Sequence, residues 1–393
     1  MFEKSYDVAV CGGGIAGAAA ALAAARRGQK TALIEKTIFT GGLATTGLIY
    51  IYLPLCDGNG TQVTYGITEE LLLASLKYGP GNVPEWRKEH NAEEAKRYRV
   101  TFSPASFIIS LDELLTKAGV DIWFDTLICA ANVQDGRLAA VEVENKSGRG
   151  RIAAKCFVDA TGDADIAHQA GLVCPAAQNA LACWVMEYAH GAHWRLDDSI
   201  EHISIHASGS SWDNKRGPSG IDGAELSSFI LDGRTKYRER LEKEYETGKK
   251  DRTNLFPLTL PAMAQFRTTR HIPAQYKLKD GQDWTHFDDS IGMAADWRKS
   301  GFVWEIPYRT MLPAGLKNLV AAGRCTAAEE DAWEVTRVIP TAALTGEAAG
   351  TAAALAAASG VSPDDIPVAT LQEALRKAGN KIHFDEVGLA AKR

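Results

Sequence analysis

Tyr6-Asp7-Val8-Ala9-Val10-Cys11-Gly12-Gly13-Gly14-Ile15-Ala16-Gly17, running on to Thr31-Ala32-Leu33-Ile34-Glu35, reads as strand, glycine turn, helix, strand and acid. Val8 and Val10 suit a short buried strand. Gly12, Gly14 and Gly17 form G-x-G-x-x-G directly after it, and the alanine-rich helix that follows ends near Arg27 with Gly28 as its cap. Each glycine has a separate reason. Gly12 permits the tight turn, Gly14 lets a pyrophosphate approach the backbone, and Gly17 lets the helix pack closely on the strand. The helix N-terminus attracts the phosphates. Glu35, at the tip of the second strand, is placed to accept from both hydroxyls of a ribose and disfavours a 2′-phosphate. The stretch predicts a dinucleotide site that is not built for NADP; the rest of the chain decides which dinucleotide.

Working outward, Gly41-Gly42-Leu43-Ala44-Thr45-Thr46-Gly47 suits a loop lying against a second phosphate or a ribityl chain. Ser106–Ala118 has the spacing of an amphipathic helix. Val120–Phe124, Leu127–Val133, Leu138–Glu144 and Arg151–Val158 read as strands, with Gln134-Asp135-Gly136-Arg137 as a hairpin turn, so a β-meander is predicted. Its last strand runs into Asp159-Ala160-Thr161-Gly162-Asp163, a glycine turn at the ligand edge of an α/β sheet. Asn318-Leu319-Val320-Ala321-Ala322-Gly323-Arg324 repeats that pattern near the end of the chain. Thr341 is expected to cap a long helix, Ala342–Ser359, in which Gly346 and Gly350 share one face and imply a close backbone neighbour. Thr370–Glu373 has the form of a capping box. Between Cys174 and Phe302 the texture changes: Trp184, Trp194, Trp212, Trp284 and Trp297 fall there with His190, His193, His202, His206, His271 and His286. An insertion of that composition is expected to bind substrate or to act as a cap.

A chain of 393 residues with 46% hydrophobic content is ample for two domains. A net charge of −6 does not point to nucleic acid or an anionic membrane, both of which call for a basic face. The short basic cluster Lys96-Arg97-Tyr98-Arg99 reads as a solvated helix face. The seven cysteines include no C-x-x-C, and Cys11, Cys129 and Cys156 sit in apolar runs as small buried hydrophobes, so a redox disulfide is not expected. The nine histidines show no ligand spacing with those cysteines, so no zinc or other metal is expected either. The first strand begins within a few residues, and the apolar runs are short. The expectation is a soluble, cytoplasmic protein without a signal peptide or a membrane span.

Four blocks of this chain resemble the FAD-dependent oxidoreductases of the glutathione-reductase-type fold, and more narrowly the family related to fumarate reductase and succinate dehydrogenase flavoproteins. They are Val10–Gly17 with Glu35, Gly41–Gly47, Phe157–Asp165, and Ile306–Ala357; Arg267–Ile272 is a weaker match. The fold this implies is α/β: a Rossmann-like FAD-binding domain from 1–49, 101–174 and 303–393, with a β-meander, and an inserted α+β substrate or cap domain from 50–100 and 175–302. The resemblance selects FAD. It implies that Gly12, Gly14, Ile15, Ala16 and Gly17 hold the pyrophosphate region, and that Glu35 and Lys36 hold the adenosine ribose. Gly41, Gly42, Ala44 and Thr45 would line the phosphate and ribityl region, Ala160, Thr161 and Gly162 the adenosine half, and Gly323 and Arg324 the ribityl chain. Thr341 and Ala342 would aim a helix N-terminus at flavin N1 and O2, where reduced flavin carries negative charge.

No second G-x-G-x-x-G with strand context occurs, so no separate nicotinamide domain is expected. The implied activity is a dehydrogenase or oxidase passing a hydride from a small polar organic substrate to flavin N5, with an external electron acceptor or oxygen completing the cycle. His271 is the expected base or substrate anchor and Arg270 its anion-binding neighbour. Tyr308 and Arg309 are expected at the flavin edge. Arg337 would add a charge at the flavin, grip a substrate carboxylate, or pair with Glu334. Two alternatives stay open. One is a flavin-dependent monooxygenase or halogenase, since Phe302-Val303-Trp304-Glu305-Ile306-Pro307 resembles the halogenase W-x-W-x-I-P signature with Phe302 at its first tryptophan. The other is an FAD-binding electron-transfer subunit. Substrate identity and oligomeric state are not legible in the sequence.

Overall fold

Phe2–Cys11 is the central strand of a seven-stranded sheet. It pairs in parallel with Thr31–Ile34 on one side and with Gly148–Asp159 on the other. Asp121–Trp123 extends the first side, also in parallel. Gly148–Asp159 is long enough to have two partners on its far side. Its first residues pair antiparallel with Arg137–Asn145, which carries Leu127–Gln134, and its last residues pair in parallel with Leu319–Ala321. The expected meander is therefore built onto a parallel core. Its turn holds Asp135 and Gly136 at φ of 50° and 71°, the double positive φ of a tight hairpin. The parallel strands are covered on both faces, so Val8, Ala9, Val10 and Cys11 have no exposed surface. This structure is a computed structural model that describes residues 2–80, 98–180, 183–191, 202–208 and 217–392, without the side chains of 178–180, 183 and 205–208. Of the residues singled out above, Trp194, Trp212, His193, Lys96 and Arg97 lie outside the described residues, as does the side chain of His206.

Helix Ile15–Ala25 packs on the sheet and is buried all round from Ile15 to Ala24, which an alanine-rich sequence permits. Helix Ile339–Ser359 lies against it. A Cβ at Gly346 would stand 2.2 Å from the Ala16 carbonyl oxygen, and one at Gly350 would stand 2.1 Å from that of Ala20. The glycine pair is thus the contact at which two helix backbones touch. The second helix starts earlier than Thr341. Val338 is its N-cap, and Pro340 occupies the first turn, where a missing N–H costs nothing. Thr341 lies inside the helix and its hydroxyl donates to the Val335 carbonyl at 2.8 Å. The terminal helix Val368–Lys377 follows Pro367 with no side-chain cap, so the Thr370 capping box does not form.

Helix Ile67–Leu76, expected in the inserted unit, packs instead into the main core, where Leu71 and Leu72 are fully buried. Smaller antiparallel sheets hold the rest. Cys183–Ala189 is flanked by Ile203–Ser208 and Leu255–Thr259, Phe266–Arg270 pairs with Ala176–Ala180, and Ser290–Ala295 pairs with Val303–Pro307. The charged helix Gly223–Glu246 is capped by Asp222, which accepts from the Ala224 and Glu225 N–H groups, and it buries Phe229 and Tyr237. Cys11 and Cys156 are buried as expected, whereas Cys129 is exposed, because its strand lies at the sheet edge. Among the described residues no helix is long and apolar enough to cross a membrane.

One buried acid on the second helix gives a testable consequence. Glu347 is 1% exposed and accepts the Ile67 N–H at 2.8 Å. Burial pushes its pKa up to about 6 from an ordinary 4.5. The folded protein therefore binds this proton more tightly than the unfolded chain does. The group favours folding as pH falls toward its unfolded pKa, and at neutral pH its ionised form costs about 2 kcal/mol. Glu347→Gln should be the more stable protein at about pH 7.5 and should lose about 1–2 kcal/mol of the wild-type gain on going to about pH 5. Urea unfolding at the two pH values measures this; identical pH dependences in both proteins would show that Glu347 is ionised throughout.

Candidate functional site

The strand register brings five chain segments to one edge. Trp123 pairs with Ile34, Ile34 with Cys11, Cys11 with Asp159, and Asp159 with Ala321. Five parallel strands therefore end on a single rung, and the turns after them open on one cavity of ≈ 1060 Å³, open mouth included. Gly12–Gly14, Glu35–Lys36, Ala160–Gly162 and Ala322–Arg324 all contribute to its wall, with the edge-strand turn at Thr126–Ile128. A cavity outside the carboxyl ends of parallel strands is where open α/β sheets bind ligands.

The glycines of the first turn divide into structural and ligand-facing ones. Gly12 has φ of +101°, and a Cβ there would lie 2.5 Å from the Ala160 carbonyl oxygen. At Gly17 a Cβ would lie 1.8 Å from the Gly12 carbonyl oxygen. The fold itself requires these two. Gly14 differs: its backbone is extended, with φ of −64°, and nothing stands within 4 Å of where its Cβ would be. The protein has no need of a glycine there, but a ligand lying on the helix N-terminus does. Gly42 closes the other side, with its own Cβ direction 3.0 Å from Gly14 Cα, and the Gly41 N–H donates to the Gly13 carbonyl at 2.8 Å. This bare cradle fits a pyrophosphate, and the cavity fits FAD.

Glu35 is buried, and both its oxygens already accept backbone protons, Oε2 from Gly13 at 2.7 Å and Oε1 from Thr37 at 2.8 Å. Each oxygen keeps a second lone pair for a ribose hydroxyl. Asp165 also lines the cavity. Burial, then the carboxylates of Asp163 and Asp159, push its pKa up to about 6 against the pull of Arg270.

At the other end of the cavity the lining is cationic. Arg324 donates to the Phe266 carbonyl at 2.6 Å and to Asp163 Oδ1 at 3.0 Å. Arg337 pairs with Glu334, yet its Nε is buried and has no hydrogen-bond partner among the described residues. Burial lowers the Arg337 pKa, and the guanidiniums of Arg267 and Arg324 press in the same direction. Beside it, helix Ile339–Ser359 presents its N-terminus through Ile339 and Ala342, with no side-chain cap. Two guanidiniums in the wall, one of them short of an acceptor, and an uncapped helix end form a site for negative charge.

Most of the residues expected at the cofactor are brought to this cavity: Ile15, Ala16, Gly41, Gly42, Ala44, Gly323 and Ala342 line it with the turns already named. Gly17, Thr45 and Thr341 do not. Gly17 is sealed against Gly12, and the Thr45 hydroxyl donates to the Thr40 carbonyl at 2.6 Å. The expected catalytic residues other than Arg337 are also placed elsewhere. Arg270 pairs with Asp165 at 2.6 Å and donates to the Asp163 carbonyl at 2.9 Å, one ion pair behind the wall. His271 is buried, with Nδ1 2.7 Å from the Ile272 carbonyl oxygen and its ring edge-on to Trp333; burial lowers its pKa and keeps it neutral. Tyr308 is buried and donates to the Pro363 carbonyl at 3.0 Å. Arg309 makes a two-point ion pair with Asp289, at 2.9 and 3.1 Å. The reason is topological: Val303–Pro307 belongs to a separate hairpin and not to the parallel sheet. Sequence reasoning missed Asp165 and Thr126–Ile128. The first falls four residues after Thr161, and the second follows the edge strand, so knowledge of the sheet order alone would have found it. Met263, also in the wall, carries no local signal.

A profile of the family described as FAD dependent oxidoreductase matches residues 7–183 and 232–375. Three solved structures are similar, two of them at a TM-score of 0.50 or above. CabE, an aromatic hydroxylase from angucycline biosynthesis, is 12% identical over 96% of this chain and 66% of its own, with a TM-score of 0.52. The p-nitrophenol 4-monooxygenase PnpA from Pseudomonas putida DLL-E4 is 13% identical over 96% of this chain and 84% of its own, with a TM-score of 0.50. A geranylgeranyl bacteriochlorophyll reductase-like protein from Thermoplasma acidophilum is 16% identical over 96% of this chain and 83% of its own, with a TM-score of 0.47. No curated protein matches this sequence.

Proposed function

Because the chain belongs to the FAD dependent oxidoreductase family and is an enzyme of FAD, we propose that it oxidises a small polar organic substrate carrying a carboxylate. The observation that supports this reading is Arg337, on the cavity wall with a buried Nε that lacks an acceptor. When bound, FAD supplies a two-electron acceptor for a hydride equivalent from the substrate. The residues of this chain do the rest. Gly14 and Gly42 leave the backbone bare for the pyrophosphate, and Glu35 accepts from a ribose. Glu334 pairs with Arg337 and holds its guanidinium in place. Arg337 then anchors a substrate anion, and the helix N-terminus at Ile339 favours negative charge close by. Two of the structural neighbours are named for hydroxylation, and oxygen insertion is the second reading; it differs in requiring an external reductant.

Arg337→Met should raise KM for an organic acid by about 10- to 100-fold while the protein retains its FAD, since a charge-assisted hydrogen bond to a carboxylate is lost. Arg337→Lys should restore part of the loss. Turnover measured with an artificial electron acceptor against acids and their uncharged amides tests this. Equal KM values in wild type and Arg337→Met would remove Arg337 from substrate binding, and equal turnover of the amides would remove the carboxylate requirement.

A further inference from the structure

Glu305 lies on the strand Val303–Pro307, far from the cavity lining, and its side chain has no exposed surface. Its Oε2 accepts the Phe287 N–H at 2.8 Å and its Oε1 the Phe384 N–H at 3.3 Å. Burying a carboxylate is costly without a cation. Among the described residues the nearest side-chain partners of Glu305 are two imidazoles: His383 Nδ1 stands 3.2 Å from Oε1 and His286 Nδ1 stands 3.4 Å from Oε2. The two rings are neighbours, with centroids 4.7 Å apart and planes tilted by 49°. One donor atom from each of the three residues falls within 4.8 Å of the other two.

The two imidazoles approach different oxygens of Glu305, so a side-chain shift within the 4.8 Å cluster closes the three donors on a small divalent ion. With ligand bonds of about 2.0–2.2 Å, neighbouring tetrahedral donors lie about 3.4 Å apart. Two imidazole nitrogens and one carboxylate oxygen form a borderline donor set that selects zinc-class metals over magnesium or calcium. The surroundings support one of the two rings for it. Asp288 Oδ1 is 3.3 Å from His286 Nε2, so it can take that proton and leave Nδ1 free to ligate, the usual carboxylate–histidine support. His383 Nε2 is 3.5 Å from Gln372 Nε2, too long to fix a tautomer, and the Gln372 amide already donates to the Asp288 and Ser290 carbonyls. His286 is half-exposed, which leaves a fourth position open to water.

We propose that His286, Glu305 and His383 bind one zinc-class divalent cation, which fastens the C-terminal segment to the hairpin Ser290–Ala295/Val303–Pro307. The segment is positioned for it: Phe384, next to His383, is buried and stacks on Trp284 at 5.4 Å, two residues before His286. The residues come from three separate stretches of chain, so the site exists only in the folded protein, and binding must stabilise it by mass action. None of the three lines the FAD cavity, so the site stands or falls independently of the proposed substrate.

The test uses the full-length FAD-loaded protein, stripped with a chelator that is then removed, and titrated with zinc by calorimetry and with cobalt by visible absorption. One equivalent should bind, cobalt should give the intense bands of a tetrahedral site, and zinc should raise Tm. His286→Ala, at an exposed position, and His383→Ala should each weaken binding by at least about 100-fold with FAD content unchanged. Absence of stoichiometric binding in the wild type overturns the proposal. Undiminished affinity in either variant also overturns it, since the ion would then sit elsewhere, for instance at the exposed Cys129.

Discussion

Gly14→Val should yield a folded protein that no longer retains FAD. The position is unusual because its side of the backbone is empty in the protein: nothing lies within 4 Å of the missing Cβ, and its φ of −64° is open to any residue. Valine therefore strains no protein contact. Its branches would instead occupy the open space beside Gly14 on the cavity side, where the pyrophosphate must approach the backbone. Forcing a bulky group into a filled contact costs about 3 kcal/mol, roughly 100-fold in affinity. Gel filtration, thermal unfolding of the FAD-free protein and the ratio of visible to ultraviolet absorbance together measure this. Gly12→Val or Gly17→Val would be poor tests. Their Cβ atoms collide with protein at 2.5 and 1.8 Å, so loss of cofactor and loss of fold would come together.

Gly346→Val should produce a large loss of stability at a position outside the glycine turn. Its Cβ would fall 2.2 Å from the Ala16 carbonyl oxygen and 2.9 Å from Ala19 Cβ, and the obstacle is helix backbone that cannot rotate away. The two helices must separate, and Ala16 belongs to the cavity wall as well, so FAD retention should fall with stability. The cost is at least about 3 kcal/mol, at the upper end for overpacking. Gly360→Ala is the control. That glycine also has a special conformation, φ of +70° at the end of the same helix, but it faces open space. It should cost about 1 kcal/mol and leave FAD binding intact. Comparable losses in both variants would mean that the helix contact is not the source of the effect.

The cofactor side of this molecule was legible because the chemistry leaves local marks. Gly12, Gly14, Gly162 and Gly323 follow directly on apolar strands, and a strand that ends in a glycine turn predicts both its direction and its place at the ligand edge. The meander was legible from the Asp135-Gly136 turn, and the helix contact from the spacing of Gly346 and Gly350. The substrate side leaves no such marks. Tyr308 and Arg309 follow an apolar strand just as Ala160 and Ala322 do, but that strand pairs with Ser290–Ala295, and nothing local distinguishes one sheet from another. His271 looks like a free imidazole until its neighbours, Trp333 and the Ile272 carbonyl, are known. His286, Glu305 and His383 have no ligand spacing at all, since only long-range pairing assembles them. Arg337 is the exception: its pairing with Glu334 follows from helical proximity, whereas its unsatisfied Nε is visible only once it is buried.

The central claim is that electrons enter the bound FAD directly from a small organic acid. Anaerobic titration of the purified FAD-loaded protein with candidate acids tests it most directly. The account predicts that one such acid, alone and without NADH or NADPH, discharges the visible absorption band of the flavin stoichiometrically, and that Arg337→Met needs far more of it. A protein whose band is untouched by every acid, but is discharged by a nicotinamide nucleotide or a flavin reductase, would contradict direct substrate oxidation and favour the oxygen-inserting reading.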